Sequence, residues 1–330
     1  MTDRETFLEV RRHGIGGSDV APILGLSKFR TALDVFNDKT SNAEQQEETE
    51  AMHWGTLLED VVAKEFAART GLKVQRITKT LRKGEGGWMV ANIDRAIVNP
   101  KIAGKVMYSK LSVGPMITTD TILECKTCNA FAAKEWGPSQ EEDIVAGREP
   151  TTEHKIPVYY ETQVQWYMGV TGAKVCYVAV LIGGSDFRMY RVNRDEEVIQ
   201  ALIEKCKTFW FENVKKGVPP APQTAEETVA LYPKDNGEMV EATNEVAAKL
   251  GDLINLEARI KDLSEEKDAI KNFLCATIGE KAGITIGGNV ACTYKASTRN
   301  TVNTAALKKA EPAIYQQYLR ATTCRTFRLA

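Results

Sequence analysis

Residues 122–126 read Ile122–Leu123–Glu124–Cys125–Lys126. In an extended strand alternate residues share a face, so Glu124 and Lys126 stand side by side while Leu123 and Cys125 point the other way. A carboxylate and an ammonium on a buried strand are costly unless they have a partner or a task. Alone, this Glu-x-Lys would read as a surface ion pair. Two other acids change that reading. Asp94 closes the apolar run Met89–Ile93, and Glu59 lies on an apolar helix beside Leu58, Val62 and Ala63. Three converging carboxylates make a hard oxygen site of the kind Mg²⁺ takes. A lysine beside such an ion can orient or deprotonate a water, while the ion lowers the water's pKa and offsets charge on a phosphodiester. These are the chemical parts of a metal-dependent nuclease.

The flanking sequence predicts alternating strands and helices. A helix over Trp54–Thr70 carries Leu57, Leu58, Val61, Val62 and Phe66 at helical spacing and ends at Gly71. Strands follow over Val74–Leu81 and Met89–Val98. Residues 101–119 read as an inserted loop or hairpin. After the 122–126 strand come a short helix over Ala130–Glu135 and a polar, mobile loop over Glu141–Lys155. A helix over Pro157–Thr171 is followed by a hairpin of Val175–Ile182 with Phe187–Val192, and a long helix over Asp195–Lys216. Upstream, Thr2–Arg12 can form an amphipathic helix leading into Gly14–Ile15–Gly16–Gly17–Ser18–Asp19. Ser18 or Asp19 can cap a helix over Val20–Leu24 that Gly25 ends. Another helix covers Thr31–Lys39, and Ser41–Glu50 reads as an exposed acidic loop. The fold class this predicts is α/β (α+β), a mixed central sheet flanked by helices.

Val218–Pro219–Pro220–Ala221–Pro222 cannot continue a helix and marks a boundary. The expected organisation is a catalytic domain over 1–217, a linker over 218–243 and a C-terminal helical and hairpin extension over 244–330. Within the extension, Asn244–Ile278 reads as a long helix with a stripe of Val246, Leu250, Leu253, Leu256, Ile260, Leu263, Ile270 and Leu274. The stripe fits a helix packed on its own domain or an arm meeting another chain. A hairpin over Ile284–Tyr294, a helix over Thr304–Tyr318 and a strand over Arg325–Leu329 complete the reading.

Composition narrows the classes. At roughly 150 residues per domain, a chain of 330 residues suggests about two domains. Apolar residues are 43% and charged residues 26%, which excludes a fibrous, collagen-like or wholly disordered chain. Net charge is −1, so a generally basic nucleic-acid coat is excluded while local basic surfaces are not. Basic residues do enrich the last fifty positions (Lys308, Lys309, Arg325 and Arg328 among them), as a DNA path, a partner surface or an ordinary surface. Seven cysteines, an odd number thinly spread, fit free thiols in a reducing cytoplasm. Met1–Val10 has no apolar core and no secretory leader is expected; no apolar run of ~18 residues predicts a membrane span. The glycines at 14–17 lack a preceding strand and a GxxxxGK[ST] pattern, which argues against a nucleoside-triphosphate site. Cys125 and Cys128 with His154 lack a second cysteine pair for zinc or iron–sulfur.

Five segments in order carry a resemblance: Arg11–Arg12–His13–Gly14–Ile15–Gly16–Gly17–Ser18–Asp19–Val20, Trp54–Gly55–Thr56–Leu57–Leu58–Glu59, Asp94, Glu124–Cys125–Lys126–Thr127 and Gln163–Val164–Gln165–Trp166–Tyr167. Together they resemble the YqaJ-type viral recombinase exonucleases, relatives of the phage lambda exonuclease within the PD-(D/E)xK nuclease superfamily, over some two thirds of the chain. The resemblance implies a restriction-endonuclease-like core and Mg²⁺-dependent 5′-to-3′ digestion of one strand of duplex DNA, with Mn²⁺ able to substitute. It implies a ring-shaped homotrimer around DNA ends, a single-strand annealing protein as partner, and a phage or prophage origin with action in the bacterial cytoplasm. An end-independent endonuclease of the same superfamily is the alternative.

Carried over by residue, Asp94, Glu124 and Glu59 hold metal, with the Cys125 backbone carbonyl, and Lys126 positions the nucleophilic water. Gln163 and Tyr167 line the site. Arg11 or Arg12 with Ser18 would meet a 5′-phosphate, since a guanidinium fork, hydroxyl and helix-start amides suit one. Two departures stand out. Ile93 precedes Asp94 where the family pattern has proline, and the insertion at 101–119 lengthens the gap to Glu124, which makes Asp120 a rival ligand.

Overall fold

A computed structural model describes residues 12–40, 49–111, 114–320 and 325–329. The predicted helix over Thr2–Arg12 apart from its last residue, Arg11 with it, most of the acidic loop before Glu50 and Cys324 lie outside the described residues. Contacts divide the chain into two units, Met1–Leu231 and Tyr232–Ala330.

The first unit opens with helices α1 (Gly17–Ile23), α2 (Ala32–Thr40) and α3 (Glu50–Thr70). Neither Ser18 nor Asp19 is the cap of α1. Gly16 holds that position, and Asp19, one turn in, reaches back to accept the Gly16 N–H at 2.9 Å. Helix α3 begins four residues before Trp54, where the Thr49 side chain accepts the Met52 N–H. It stops at Gly71, whose φ of 69° is open to glycine without a Cβ penalty.

Strands β1 (Val74–Arg76), β2 (Leu81–Lys83), β3 (Met89–Ala91) and β4 (Arg95–Ile97) follow. Each of the two strands expected here is split in two. The reason is a change of partner: β2 pairs with β3 in a small sheet, whereas β1 pairs with β4 in the main one. Asp94 therefore sits in a break between strands, not at the end of one. The insertion is a hairpin of β5 (Tyr108–Leu111) and β6 (Gly114–Ile117).

Strand β7 (Thr121–Cys128) carries the Glu-x-Lys pair and is followed by a 3₁₀ turn (Ala130–Glu135) and α4 (Glu141–Val145). That helix occupies the segment expected to be a mobile loop: Ile144 anchors it in the core, and the Gln140 amide donates to the Thr152 carbonyl at 2.6 Å. Next come α5 (Val158–Thr171), β8 (Val175–Ile182), β9 (Asp186–Asn193) and α6 (Glu196–Thr208), which passes into a π-helical turn (Phe209–Val214). Helix α7 (Ala225–Leu231) lies inside the expected linker, and its Leu231 packs against the core.

The main sheet has the order β1-β4-β7-β8-β9. Only β7 and β8 run parallel, with α5 crossing between them; the other neighbours are antiparallel. This is the mixed sheet flanked by helices that the alternating pattern predicts. On one face Val62, Ala63 and Phe66 of α3 cover Leu123, Cys125, Ala179 and Met189. On the other, Val164 and Met168 of α5 join Val178, Val180 and Val192. Burying a side chain such as Phe66 stabilises the fold by roughly 1.5–3 kcal/mol. Strand β8 is nearly all apolar because helices cover both its faces.

The second unit contains α8 (Asn244–Ile278), a hairpin of β10 (Gly283–Ile286) with β11 (Asn289–Thr293), α9 (Thr304–Ala310) and α10 (Pro312–Gln317). The single helix expected over Thr304–Tyr318 is broken at Glu311, because Pro312 has no N–H and must begin a new helix. No strand forms at Arg325–Leu329.

Candidate active site

A cleft of ≈ 340 Å³ opens between the start of α1, the loop after β1 and the middle of β7. It is lined by Asp94, Glu124, Lys126, Glu59, Gln163 and Tyr167, with Gly16, Gly17 and Ser18 on one wall and Arg76 to Lys79, Asn92 and Ile93 on another. The fold thus gathers all but two of the described side chains singled out from the sequence. Arg12, half-buried before Gly14, is not among the lining residues. Asp120 is elsewhere too: its carboxylate accepts from the Asn99 amide at 3.1 and 3.2 Å and from the Thr121 hydroxyl at 3.1 Å.

The centre of the cleft is a closed hydrogen-bond network. The Lys126 ammonium donates to Glu124 Oε1 at 2.6 Å and to Gln163 Oε1 at 3.2 Å. Gln163 Nε2 donates to the same Glu124 oxygen at 2.8 Å and to the Tyr167 hydroxyl at 3.0 Å. The two residues sit four apart on α5, so their side chains stack on one helix face. The ring of Tyr160 lies under the ammonium, 4.7 Å from its centroid to Nζ. On the far side, Asp94 Oδ2 accepts the Cys125 main-chain N–H at 2.8 Å. The carboxylate takes a donor that the β4–β7 ladder leaves open just before β4 begins.

Charge in the cleft is held under strain. Burial, then the charge of Glu124, raises Asp94 well above the ordinary carboxylate range. Burial raises Glu124 as well, against the pull of Lys126. Burial works against the charge on Lys126, but Glu124, Tyr160 and Asp94 outweigh it, so the lysine stays an ammonium.

Asp94, Glu124 and Glu59 line the same cleft, and the charge of Glu59 adds to the rise of the other two. Among the described residues no group of three or more His, Cys, Asp or Glu side chains is arranged to hold a metal ion. Glu59 lines the cleft, but its carboxylate is engaged by Arg95 Nη1, while Asp60 takes Arg95 Nη2 at 3.1 Å. Arg95, only 3% exposed, is thus an unforeseen member of the site that turns one acid aside. Asp94 and Glu124 remain as the facing pair. Glu124 Oε2 is buried and receives no hydrogen bond. A buried carboxylate with an orphaned oxygen and a half-buried one, both raised in pKa, fit a hard divalent cation, which takes one or two carboxylates and completes its shell with water and phosphate oxygens.

Arg76 and Lys79 were also missed. Both are exposed at the cleft. Their signal in the sequence was the run of cations Lys73, Arg76, Lys79, Arg82 and Lys83, which strand alternation alone leaves unexplained.

Comparison with known proteins adds a second line. Residues 6–174 match the YqaJ-like viral recombinase domain. A protein named YqaJ from Bacillus subtilis (strain 168) is 32% identical over 332 residues, spanning 98% of this chain and 93% of the relative. Among solved structures, an alkaline exonuclease (LHK-Exo) from Laribacter hongkongensis is 18% identical, with a TM-score of 0.44, covering 65% of this chain and 94% of that one. A phage-related exonuclease from Haemophilus somnus 129PT is 12% identical, with a TM-score of 0.41, covering 64% and 99%. No helix among the described residues is long and apolar enough to cross a membrane.

Proposed function

The chain belongs to the YqaJ-like viral recombinase family, and on that premise we propose that it is a metal-dependent deoxyribonuclease digesting one strand of duplex DNA from its ends. The direction is 5′ to 3′, the ion Mg²⁺, and the product a 3′ single-stranded tail. The observation that carries this reading is the network joining Glu124, Lys126 and Gln163 across one cleft from Asp94.

Asp94 and Glu124 would hold the ion, with the Cys125 carbonyl as a third oxygen. When bound, it supplies Lewis-acid stabilisation of the phosphodiester and a more acidic water. Lys126 acts as an ammonium: two of its donors are fixed on Glu124 and Gln163, leaving the third to hold the attacking water. Gln163 sets the tilt of Glu124 and is itself set by Tyr167, so the carboxylate does not rotate as the reaction proceeds. Glu59, held by Arg95, adds its charge beside Asp94 and Glu124 rather than serving as a principal ligand. Arg76 and Lys79 meet the DNA backbone at the mouth, and Ser18, with Arg11 or Arg12, the 5′-phosphate.

The proposal extends to a ring-shaped trimer that keeps the enzyme on its substrate and to a single-strand annealing partner that takes the tail. The site of action would be the cytoplasm of a bacterial host.

Linear duplex labelled at either end, with and without a 5′-phosphate, tests the proposal in the presence of Mg²⁺. Progressive loss from the 5′ end, faster with phosphate, and an intact covalently closed plasmid are expected. Nicking of the closed plasmid would turn the reading to an endonuclease, and loss from the 3′ end would reverse its polarity.

A further inference from the structure

We propose that α8 binds α8 of a second copy of this chain, side by side and antiparallel, through the apolar stripe that the structure leaves bare. The inference is independent of the nuclease reading; beside a three-membered ring, such two-fold pairs would join one ring to a second.

Of the 35 residues in this helix, only Ile278 is buried. Ile260 and Leu263, at its centre, are each 61% exposed, and Ile270 is 55% exposed. A helix of this length spans roughly 50 Å. Such a face in water calls for a cover. The spacing says what kind. Leu253, Leu256, Ile260, Leu263, Ile270 and Leu274 fall on the first and fourth positions of a seven-residue repeat, the seam of a two-helix coil. Two lysines, Lys249 and Lys267, interrupt that seam.

The lysines choose the orientation. In a parallel pair in register, Lys249 would meet its own copy and so would Lys267, each placing like charges inside the seam. Asp252 would also flank Glu257 of the other chain. Turning one helix around, about a two-fold axis between Lys261 and Asp262, removes every one of these conflicts. Ile260 then meets the second copy's Leu263, and Leu253 its Ile270. Each lysine crosses a leucine (Lys267 on Leu256, Lys249 on Leu274), where its stem can pack and its ammonium reach water. Outside the seam, Arg259 falls beside Glu266 of the other chain, and by symmetry this pair occurs twice. The axis coincides with the middle of Asn244–Ile278, so both helices overlap along their whole length. No partner of different sequence needs this self-complementarity.

Light scattering on the full chain reads the assembly. The Ile260→Glu/Leu263→Glu variant should lower the mass twofold while keeping its helical circular dichroism. Arg259→Glu alone should weaken association, and Arg259→Glu/Glu266→Arg should restore it. Should the glutamate variant lose helicity, disulfide trapping decides. Leu253→Cys/Ile270→Cys should form an interchain crosslink above the wild-type background, and neither single variant should. Unchanged mass in the folded glutamate variant overturns the proposal, as does a crosslink through Leu253→Cys alone, the mark of a parallel pair. A mass that rises only when an annealing protein is added would hand the stripe to that partner and overturn it equally.

Discussion

Asp94 accepts the main-chain N–H of Cys125 at 2.8 Å, from a break in one strand to the middle of the next. That bond fixes its carboxylate among buried neighbours of like charge, and burial followed by Glu124 raises its pKa. A group whose folded pKa lies above its unfolded value binds more protons when folded. Its contribution to stability is greatest at low pH and falls as pH rises through the ordinary carboxylate range towards the raised value. Asp94→Asn removes the charge and keeps an oxygen for Cys125. Without metal, the variant should be more stable than the parent near neutral pH, read as a rise in Tm. The gain should shrink as pH falls towards about 4, where both forms are neutral. DNA digestion should be lost. Thermal scans across pH read the first effect, and an unchanged Tm throughout would show that the charge on Asp94 costs the fold nothing.

Lys126 is tied to Glu124 and Gln163 and stacked on Tyr160. Lys126→Ala should reduce digestion by at least about 100-fold, the usual scale for one preorganised electrostatic group. Affinity for duplex DNA and for Mg²⁺ should change little, since neither depends on this donor. Single-turnover assays beside equilibrium binding separate the two. Retained cleavage would remove Lys126 from the chemistry.

Gly17 tests the wall of the cleft. A Cβ there would lie 2.4 Å from Tyr167 Cε1 and 3.0 Å from Gln163 Cγ, closer than packed atoms allow. At Gly16 the nearest atom, Asp19 Oδ2, is 3.5 Å away. Gly17→Ala should therefore displace Tyr167 and, through it, the Gln163 amide, costing about 1–3 kcal/mol of overpacking and lowering kcat. Gly16→Ala should be tolerated. Equal activity in the two variants would mean that Tyr167 yields without moving Gln163.

Much of this was legible in the sequence. Strand β7, helix α5 and the hairpin of β8 and β9 follow from apolar spacing, Asp94, Glu124 and Lys126 from residue type and order, and Gln163 and Tyr167 from the family resemblance. What escaped was long-range. The break at Asn92–Asp94 exists because β3 and β4 serve different sheets, a partner choice that local alternation does not encode. Arg95 looked like one strand residue among many, yet it is buried at 3% exposure and binds Glu59. No periodicity shows which acid a buried guanidinium will meet.

That pairing gives opposite signs to two acid-removing variants. Glu59→Ala would leave the buried Arg95 with only Asp60 and the Asp94 carbonyl, and an under-paired buried donor costs about 1–3 kcal/mol. Tm in the absence of metal should fall. If relief of the repulsion that Glu59 adds to Asp94 and Glu124 outweighed the lost pairing, Tm would rise as for Asp94→Asn. Calorimetry of the two variants side by side distinguishes a structural ion pair from a metal ligand. Glu59→Gln, which keeps an acceptor for Arg95, should recover part of the loss.

Arg76 and Lys79 are exposed at the mouth of the cleft, where a phosphate backbone would pass. Each phosphate neutralised releases condensed counterions, so log K falls against log salt with a slope of about −0.9 per contact on duplex DNA. Arg76→Ala/Lys79→Ala should weaken binding to all sequences alike and make that slope shallower by roughly two. The single-turnover rate at saturating DNA should stay near that of the parent, because neither residue joins the Glu124–Lys126–Gln163 network. A slope that does not change, measured by titration at several salt concentrations, would place the DNA path along another wall of the cleft.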